Sequence, residues 1–273
     1  MDTRIVAFQG ERGAYSEEAV VKFFGEVTVM PCPSLPEVFD SVESGAAHAG
    51  LIPIENSYAG SINESYDLLL GHGLTIFGEE MLLVKHSLMA PAGTGLHEIN
   101  RVYSHPQALA QCARFIRELE AQPVAAHDTA GSARMLSETR EKRAAAIASR
   151  RAARIYGLEV LKEDIQDNPG NSTRFYAIGR GREEKGERNK TVLVVMTQHV
   201  PGALFWCLGA FAYRGINIMK LESRPSRDKP WEYVFYLDVE GHTSDVPVRQ
   251  AMEELRTKTT MLRVLGSFPS GSP

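Results

Sequence analysis

A strand, a loop and a helix are predicted by residues 5–16, which read Ile-Val-Ala-Phe-Gln-Gly-Glu-Arg-Gly-Ala-Tyr-Ser. The four apolar residues predict a buried strand, and the polar loop with its two glycines leads into a helical pattern near residues 17–24. Short apolar runs continue to alternate with helical patterns as far as about residue 180. This order predicts an α/β domain built on parallel sheets with helices on both faces.

The pattern changes after a run of charged residues and glycines at positions 180–190, which predicts a linker with no residue in a core. Beyond it, apolar strands and two helical patterns follow in the order βαββαβ over residues 191–268. That order is typical of a ferredoxin-like domain, in which two helices cover one face of an antiparallel sheet. The sequence therefore predicts two domains of different architecture.

The charge of the chain argues against nucleic acid as a partner. There are 30 basic and 34 acidic residues among 273, a net charge of −4, and no basic face is evident. Phosphate binding requires clustered Lys and Arg. The one Arg-rich stretch, residues 140–154, alternates with Ala and is predicted to be a solvated helix face.

Cysteine usage and hydropathy predict a cytoplasmic protein that holds no metal and contacts no membrane. The three cysteines, Cys32, Cys112 and Cys207, lie far apart with no CxxC spacing, as expected of buried thiols in a reducing compartment. No charged and then apolar leader precedes Ile5, and no apolar run approaches the ~20 residues of a membrane span.

Four polar loops of the first domain share one position, because each follows a predicted strand and leads into a helix. They are residues 9–16, 53–61, 104–107 and 128–133. Ligands of open α/β sheets bind at the carboxyl ends of strands, and helix N-termini receive anions well. The glycines of the first loop do not complete a dinucleotide fingerprint. These loops, together with Thr173 and Arg174, therefore predict a cleft for a small dianion.

The loops also resemble the motifs of the prephenate dehydratase family, in the family's order. The matching stretches are Gly10-x-x-Gly13-Ala14-Tyr15-Ser16, Pro53-Ile54-Glu55-Asn56-Ser57, Ser104-His105-Pro106-Gln107 with Gln111-Cys112, Asp128-Thr129-Ala130 and Thr173-Arg174-Phe175. The resemblance implies a catalytic domain of two α/β subdomains, like a type II periplasmic binding protein, with the active site in the cleft. It implies that the protein converts prephenate to phenylpyruvate in phenylalanine biosynthesis.

Domain boundaries follow from the patterns and the resemblance together. We expect the catalytic domain at residues 1–181, with one subdomain at about 1–78 plus 165–181 and the other at about 79–164. The linker is expected at 182–190. An ACT regulatory domain is expected at 191–269.

The chemistry of prephenate indicates what its site must provide. The substrate carries two carboxylates and a ring hydroxyl, and the loss of CO2 and water makes the ring aromatic. No metal, nucleophile or redox cofactor is required, and we expect no cofactor. By the resemblance, Thr173 donates to the departing oxygen, and Asn56, Ser104 and Gln111 are neutral donors. Glu55 is the neighbouring carboxyl group that could be a true acid or could orient a neighbour.

Other residues of the same motifs are expected to bind the substrate. Arg174 could hold a carboxylate through two hydrogen bonds, or form an ordinary surface ion pair. Thr129 suits the N-cap of its helix, and Pro106 suits the first turn of another. The full set of expected substrate-binding residues is Arg174, Phe175, Ser57, Thr129, Ala130, Tyr15 and Ser16.

The C-terminal domain resembles the ACT domains of the same family. Two stretches carry this resemblance, Pro201-Gly202-Ala203-Leu204 and Gly215-Ile216-Asn217 leading into Glu222-Ser223-Arg224-Pro225. The resemblance implies that L-phenylalanine binds here and inhibits the catalytic half, and that the ACT domains assemble a homodimer or tetramer. The residues expected at this allosteric site are Gly202, Ala203, Leu204, Asn217, Glu222, Ser223 and Arg224.

Two alternatives remain open from the sequence. Arogenate dehydratase would act on the aminated substrate, and the difference between an ammonium and a keto group could depend on one loop residue. A non-catalytic module that senses amino acids would use the same two-subdomain cleft. Because no further helical pattern precedes Ile5, we expect no fused chorismate mutase.

Overall fold

A computed structural model describes residues 4–181, 185–226 and 232–271. The chain forms two compact units, one of Met1–Leu68 with Glu80–Tyr176 and the other of Leu69–Glu79 with Ala177–Pro273. Among the described helices, none combines the length and the hydropathy of a transmembrane span.

The strands and helices alternate through most of the chain. The strands are β1 (Ile5–Gln9), β2 (Thr28–Cys32), β3 (Ala49–Asn56), β4 (Gly60–Ser61), β5 (Thr75–Leu83), β6 (Ser87–Ala90), β7 (Arg101–Ser104), β8 (Gln122–Ala125), β9 (Ala144–Ala148), β10 (Glu159–Lys162), β11 (Ser172–Gly179), β12 (Asn189–Thr197), β13 (Ile218–Pro225), β14 (Tyr233–Glu240) and β15 (Thr259–Pro269). The helices are α1 (Tyr15–Phe24), α2 (Leu35–Ser44), α3 (Asn63–Gly71), α4 (Pro106–Gln111), α5 (Ala113–Glu118), α6 (Thr129–Thr139), α7 (Arg150–Tyr156), α8 (Ala203–Ala212) and α9 (Val246–Lys258).

The first sheet has the strand order β2-β1-β3-β11-β5, with β4 paired to β3. Strand β1 lies parallel to both β2 and β3, so that Val6 is opposite Val29 and Ala49. A strand with neighbours on both sides and helices over its faces is buried, which explains the continuous apolar run at residues 5–8. The carboxyl ends of β1 and β3 carry two of the predicted polar loops, and β11 begins in the Ser-Thr-Arg-Phe stretch.

The second sheet has the order β10-β6-β9-β7-β8. Strands β7, β8 and β9 are parallel, whereas β6 runs antiparallel to both β9 and β10. The prediction of wholly parallel sheets is therefore wrong here. Strand β6 alone runs against the other four strands of this sheet, because β10 is antiparallel to β6 and therefore has the same direction as β9.

The apolar run at 145–148, one of the short runs that predict strands, forms β9, so the prediction of a solvated helix face over all of residues 140–154 is wrong. All five residues of β9, Ala-Ala-Ala-Ile-Ala at 144–148, are buried, and only residues 150–156 are helical. Small side chains let helices approach this strand closely, and Ala130, Ala133 and Ala152 pack in the same cluster. Close packing of β9 against α6 and α7 thus explains why alanine occupies four of its five positions.

The third sheet has the order β13-β14-β12-β15, and its strands pair antiparallel. With α8 and α9 it makes the ferredoxin-like βαββαβ arrangement, and the predicted fold class is confirmed. Residues of both helices pack with Leu193, Val195 and Leu237 in one core cluster. From the sequence, the strand observed as β14 was expected to begin at Trp231, which lies outside the described residues.

The second unit also includes residues 69–79, which lie against strands β12 and β15. Arg263 donates hydrogen bonds to the carbonyl groups of Leu70 and His72 at the C-terminal end of α3, where a cation is favoured. The Lys190 ammonium lies 2.5 Å from a carboxylate oxygen of Glu79. Lys190 is 5% exposed, so the expectation that no residue of the 180–190 run enters a core is wrong at this position. Residues 182–184 of that run lie outside the described part of the chain.

Candidate active site

The first unit contains a cavity of about 210 Å³. Each of the four predicted polar loops, and the stretch at 171–175, contributes at least one residue to its wall. The lining residues are Tyr15, Asn56, Val84, His86, His105, Gln107, Ala108, Gln111, Asp128, Thr129, Asn171 and Thr173. Polar side chains therefore predominate in the wall.

Asn56, the last residue of β3, is held at both ends of its amide. Its Oδ1 accepts from the backbone N–H groups of Tyr58 at 3.1 Å and Ala59 at 3.0 Å. Its Nδ2 donates to Asn171 Oδ1 at 2.8 Å and to Thr173 Oγ1 at 3.0 Å. Because an amide nitrogen only donates, the Thr173 oxygen accepts this bond. The hydroxyl hydrogen of Thr173 is thereby left to donate to another group.

Asn171 continues this chain of hydrogen bonds to α4. Its Nδ2 donates to Oε1 of Gln111, the last residue of that helix, at 2.9 Å. Asn171 is only 2% exposed, so its amide is almost entirely satisfied by protein groups. Asn171 was not among the site residues predicted from the sequence, although it stands directly before the Ser-Thr-Arg-Phe stretch.

His86 contacts the same Gln111 oxygen, and Tyr15 contacts His86 in turn. The His86 Nε2 lies 2.8 Å from Gln111 Oε1, and the His86 Nδ1 lies 2.7 Å from the Tyr15 hydroxyl. Burial lowers the pKa of His86, and burial raises the pKa of Tyr15 well above its ordinary value, so both are neutral near pH 7. His86 was not among the site residues predicted from the sequence. A histidine between the apolar runs of β5 and β6 was the available signal.

Two residues expected at the site are not in the cavity wall. Glu55 and Arg174 form an ion pair, with Arg174 Nη1 3.7 Å from Glu55 Oε2. Successive side chains of a strand project from opposite faces of the sheet. Since Asn56 and Thr173 line the cavity from β3 and β11, their neighbours Glu55 and Arg174 project from the other face. The structure thus supports the ion pair as the role of Arg174.

Several other predicted residues also lie outside the cavity wall. Ser104 is fully buried and donates to the carbonyl of Ile147 at 2.7 Å, which makes it a structural link between β7 and β9. Ser57 accepts from the Ser172 N–H at 3.0 Å. Phe175 and Ala130 are buried and do not line the cavity, and Ser16 is half-buried in α1 without lining it.

The N-terminus of α6 differs from the prediction by one residue. Asp128, not Thr129, is the N-cap, and its Oδ1 accepts from the Gly131 N–H at 2.6 Å. Thr129 is therefore the first helical residue and remains in the cavity wall. Pro106 begins α4 as predicted, and His105 caps that helix by accepting from the Gln107 N–H.

The second unit contains its own cavity of about 320 Å³ at the start of α8. Gly202, Ala203 and Leu204 line it together with Gln198, His199, Val200, Phe205 and neighbouring residues of β12 and β14. Of the expected allosteric residues, Asn217, Glu222, Ser223 and Arg224 are not in its wall. The last three belong to β13, where Ser223 is paired with the cavity residue Phe235.

Comparison with known proteins decides the family. The family model of prephenate dehydratase matches residues 6–183, and that of the ACT domain matches residues 191–257. The chain belongs to the prephenate dehydratase family. It is therefore a lyase, and its C-terminal ACT domain is confirmed.

Individual relatives agree along nearly the whole chain. The chloroplastic arogenate dehydratase/prephenate dehydratase 2 of Arabidopsis thaliana is 42% identical over 275 residues, which cover 97% of this chain and 72% of the relative. A prephenate dehydratase from Arthrobacter aurescens, solved in complex with L-Phe, is 35% identical with a TM-score of 0.89, covering 97% of this chain and 89% of that one.

One solved structure carries a different function in its name. GqqA, described as a novel type of quorum quenching acylase, is 35% identical with a TM-score of 0.92, and the match covers 98% of each chain. The same fold is thus attached to two named activities. Which activity belongs to a chain has to be argued from its site.

Proposed function

We propose that the protein converts prephenate to phenylpyruvate, with release of CO2 and water. The observation that carries this proposal is the Thr173 hydroxyl, which lines the cavity and accepts from Asn56 Nδ2 at 3.0 Å. Its hydrogen is therefore available to the substrate's departing oxygen. The bond between the ring and the departing carboxylate breaks, CO2 leaves, and the electron pair of that bond enters the ring. The ring C–O bond breaks, and the oxygen takes up one proton, relayed from solvent through the Thr173 hydroxyl, and leaves as water.

Two further cavity residues, Gln111 and Thr129, suit the negative charges of prephenate. The NH2 group of Gln111 can donate to a substrate carboxylate, since its Oε1 is engaged by Asn171 and His86. Thr129 begins α6, and the N-terminal end of a helix attracts an anion. Positioned donation to a leaving group is typically worth ~10²–10⁴ in rate. We therefore propose that hydrogen-bond donors held in fixed positions around the dianionic substrate are sufficient to catalyse this reaction.

The acylase activity named for GqqA is not favoured by this geometry. Acyl transfer by a hydroxyl requires a base that accepts the hydroxyl proton. Within the described residues, the Thr173 side chain bonds to an amide donor, and the ring nitrogens of His86 contact Tyr15 and Gln111. Dehydration, which needs a donor at Thr173, fits better.

Activity assays with prephenate and with arogenate determine which of the two is the substrate. Purified protein is incubated with each substrate, phenylpyruvate is measured by its ultraviolet absorbance in alkali, and phenylalanine is measured by chromatography. We expect the higher kcat/KM with prephenate. Higher kcat/KM with arogenate would identify the alternative carried in the name of the Arabidopsis relative.

The same assay tests Thr173. Thr173→Val keeps the shape of the side chain and removes the hydroxyl, so we expect kcat to fall by about 10²-fold or more. Thr173→Ser restores a hydroxyl and should retain most of the activity. Near-normal turnover by a folded Thr173→Val variant would contradict the proposal.

Regulation and assembly complete the proposal. We propose that L-phenylalanine binds at the cavity beside Gly202–Leu204 and inhibits the enzyme. A homo-oligomer formed through the ACT domains is supported by large apolar side chains exposed on α8, Phe205, Trp206 and Tyr213 in its C-cap. Three further points remain predictions from the sequence. They are the domains at 1–181 and 191–269 joined by a linker, a cytoplasmic location, and the absence of a cofactor.

A further inference from the structure

We propose that His86 is a positioning residue for this reaction: its Nε2–H fixes the Gln111 amide so that the NH2 group of Gln111 faces the cavity. The inference rests on the proposed function, in which that NH2 group meets the anionic substrate. It is carried by an unbroken series of hydrogen bonds whose donors and acceptors can be assigned one after another. The series runs from the Tyr58 and Ala59 backbone through Asn56, Asn171 and Gln111 to His86.

The series is anchored by backbone groups whose roles have no alternative. The N–H groups of Tyr58 and Ala59 can only donate, so the Asn56 atom that they contact is its oxygen. The other end of the Asn56 amide is then the NH2 group, which can only donate. The Asn171 atom 2.8 Å away is therefore the oxygen of that second amide.

The Gln111 amide and the His86 ring can be oriented in the same way. With its oxygen facing Asn56, Asn171 presents its NH2 group to Gln111, and the Gln111 atom 2.9 Å away must be Oε1. That oxygen also lies 2.8 Å from His86 Nε2, which must then carry a hydrogen. Within the described residues, the Gln111 NH2 group has no protein acceptor, and Gln111 lines the cavity. Its two hydrogens are available to a carboxylate.

The second ring nitrogen sets the charge of His86. Tyr15 places its hydroxyl 2.7 Å from Nδ1 and 2.9 Å from the Lys85 carbonyl oxygen. His86 is 2% exposed, and burial lowers its pKa, so the ring is neutral near pH 7. Because Nε2 holds the single proton, Nδ1 and the Lys85 carbonyl can both only accept, so the one hydrogen of the Tyr15 hydroxyl is shared between these two acceptors. The backbone of His86 is fixed as well, since its N–H donates to Gln166 Oε1 at 2.9 Å.

The titratable groups around this pair leave the ring uncharged. Tyr15 on α1 has a raised pKa and is neutral. The pKa of Cys112, the residue directly after α4, is raised to about 12, so its thiol is neutral as well. Charged groups near this pair include Glu18 on α1, Asp167, and Lys85, whose ammonium lies 3.5 Å from Asp164. Asp128 and His105 line the same cavity. Neither Tyr15 nor Gln111 carries a charge, so no direct partner offsets the cost of charging the buried ring.

Loss of the Nε2–H would leave Asn171 as the single donor to Gln111 Oε1 among the described residues, so the Gln111 amide would turn more readily. A turned amide would present its oxygen to the substrate carboxylate, which repels it. We expect His86→Leu to lower kcat/KM about tenfold, the effect of losing one orienting hydrogen bond. His86→Gln places an amide N–H near the position of Nε2, so we expect it to stay within about threefold of the wild type. His97→Leu, at an exposed histidine, is the control and should leave kcat/KM unchanged.

A double variant separates positioning from general support of the fold. If His86 acts through Gln111, then His86→Leu combined with Gln111→Ala should be no slower than Gln111→Ala alone. Full multiplication of the two effects would overturn the proposal, and so would an unchanged kcat/KM in His86→Leu. Circular dichroism checks that each variant is folded. If His86→Leu does not fold, the His86→Gln variant and the following measurement decide.

The tautomer can be measured without any substrate. In protein labelled with ¹⁵N-histidine, the ring signals of His86 are assigned among the eight histidines by their absence from His86→Gln. We expect a neutral ring protonated at Nε2 at pH 7.5. An imidazolium, or a ring protonated at Nδ1, would overturn the proposal. If the wild type converts neither prephenate nor arogenate, the proposed function fails, whereas this measurement still tests the orientation of Gln111.

Discussion

At Asn56, the two ends of one side-chain amide meet different partners, backbone N–H groups at the oxygen and the oxygens of Asn171 and Thr173 at the nitrogen. A change of one atom tests this arrangement. In Asn56→Asp the nitrogen becomes a carboxylate oxygen that Thr173 would donate to, so its hydrogen would no longer reach the substrate. We expect kcat to fall by about 10²-fold.

The matched control for this change is Asn63→Asp. Asn63 is exposed at the first position of α3, where a negative charge is favoured. We expect its turnover of prephenate to equal that of the wild type. Equal turnover by both variants would refute the role given to Asn56.

At the scale of the elements, strands β5, β12 and β14 are joined by a buried group of charges. The Lys190 ammonium lies 2.5 Å from Glu79 and 3.9 Å from Asp238, and all three side chains are less than 8% exposed. Lys190→Met would leave two buried carboxylates without this cation. We expect a loss of about 3–5 kcal/mol in the free energy of unfolding of the second unit.

Tryptophan fluorescence in urea measures this loss, because both tryptophans of the chain, Trp206 and Trp231, belong to its C-terminal part. Lys185→Met is the control. The Lys185 ion pair with Asp245 is partly exposed, with 51% and 32% of the side chains accessible, and should contribute less than about 1 kcal/mol. Similar unfolding curves for the two variants would contradict the argument from burial.

At the scale of the whole molecule, inhibition should depend on the start of α8. Gly202 has a left-handed φ of 79°, and a Cβ there would lie 3.3 Å from Trp206 Nε1, beside the cavity. We expect Gly202→Ala to weaken inhibition by L-phenylalanine at least tenfold while kcat without phenylalanine is unchanged.

Gly215→Ala is the matched control for backbone strain. Its φ of 65° is also left-handed, but a Cβ there meets no atom within 4 Å. The titration of activity with phenylalanine should distinguish the two variants. If both lose inhibition equally, strain in the ACT domain, rather than the cavity, would account for the effect.

Much of this molecule could be predicted from local sequence. Apolar runs of four to eight residues predicted the central strands, because a strand buried on both faces needs apolar side chains at successive positions. The change to the order βαββαβ predicted the ACT domain. The polar loops at strand ends were expected to share one cleft, since the carboxyl ends of parallel strands meet at one edge of a sheet. Asn56, Gln111, Thr129, Tyr15 and Thr173 do line one cavity.

What only the tertiary structure decided is which way each side chain points and what it meets there. Glu55 and Arg174 stand beside Asn56 and Thr173 in the chain, yet strand geometry places them on the opposite face, as an ion pair. His86 was not predicted to have a role and Lys190 was placed in the linker, because their partners Gln111 and Glu79 are 25 and 111 residues away. A motif determines which groups are available, whereas the hydrogen bonds and charges that give them a role arise only when distant segments pack together.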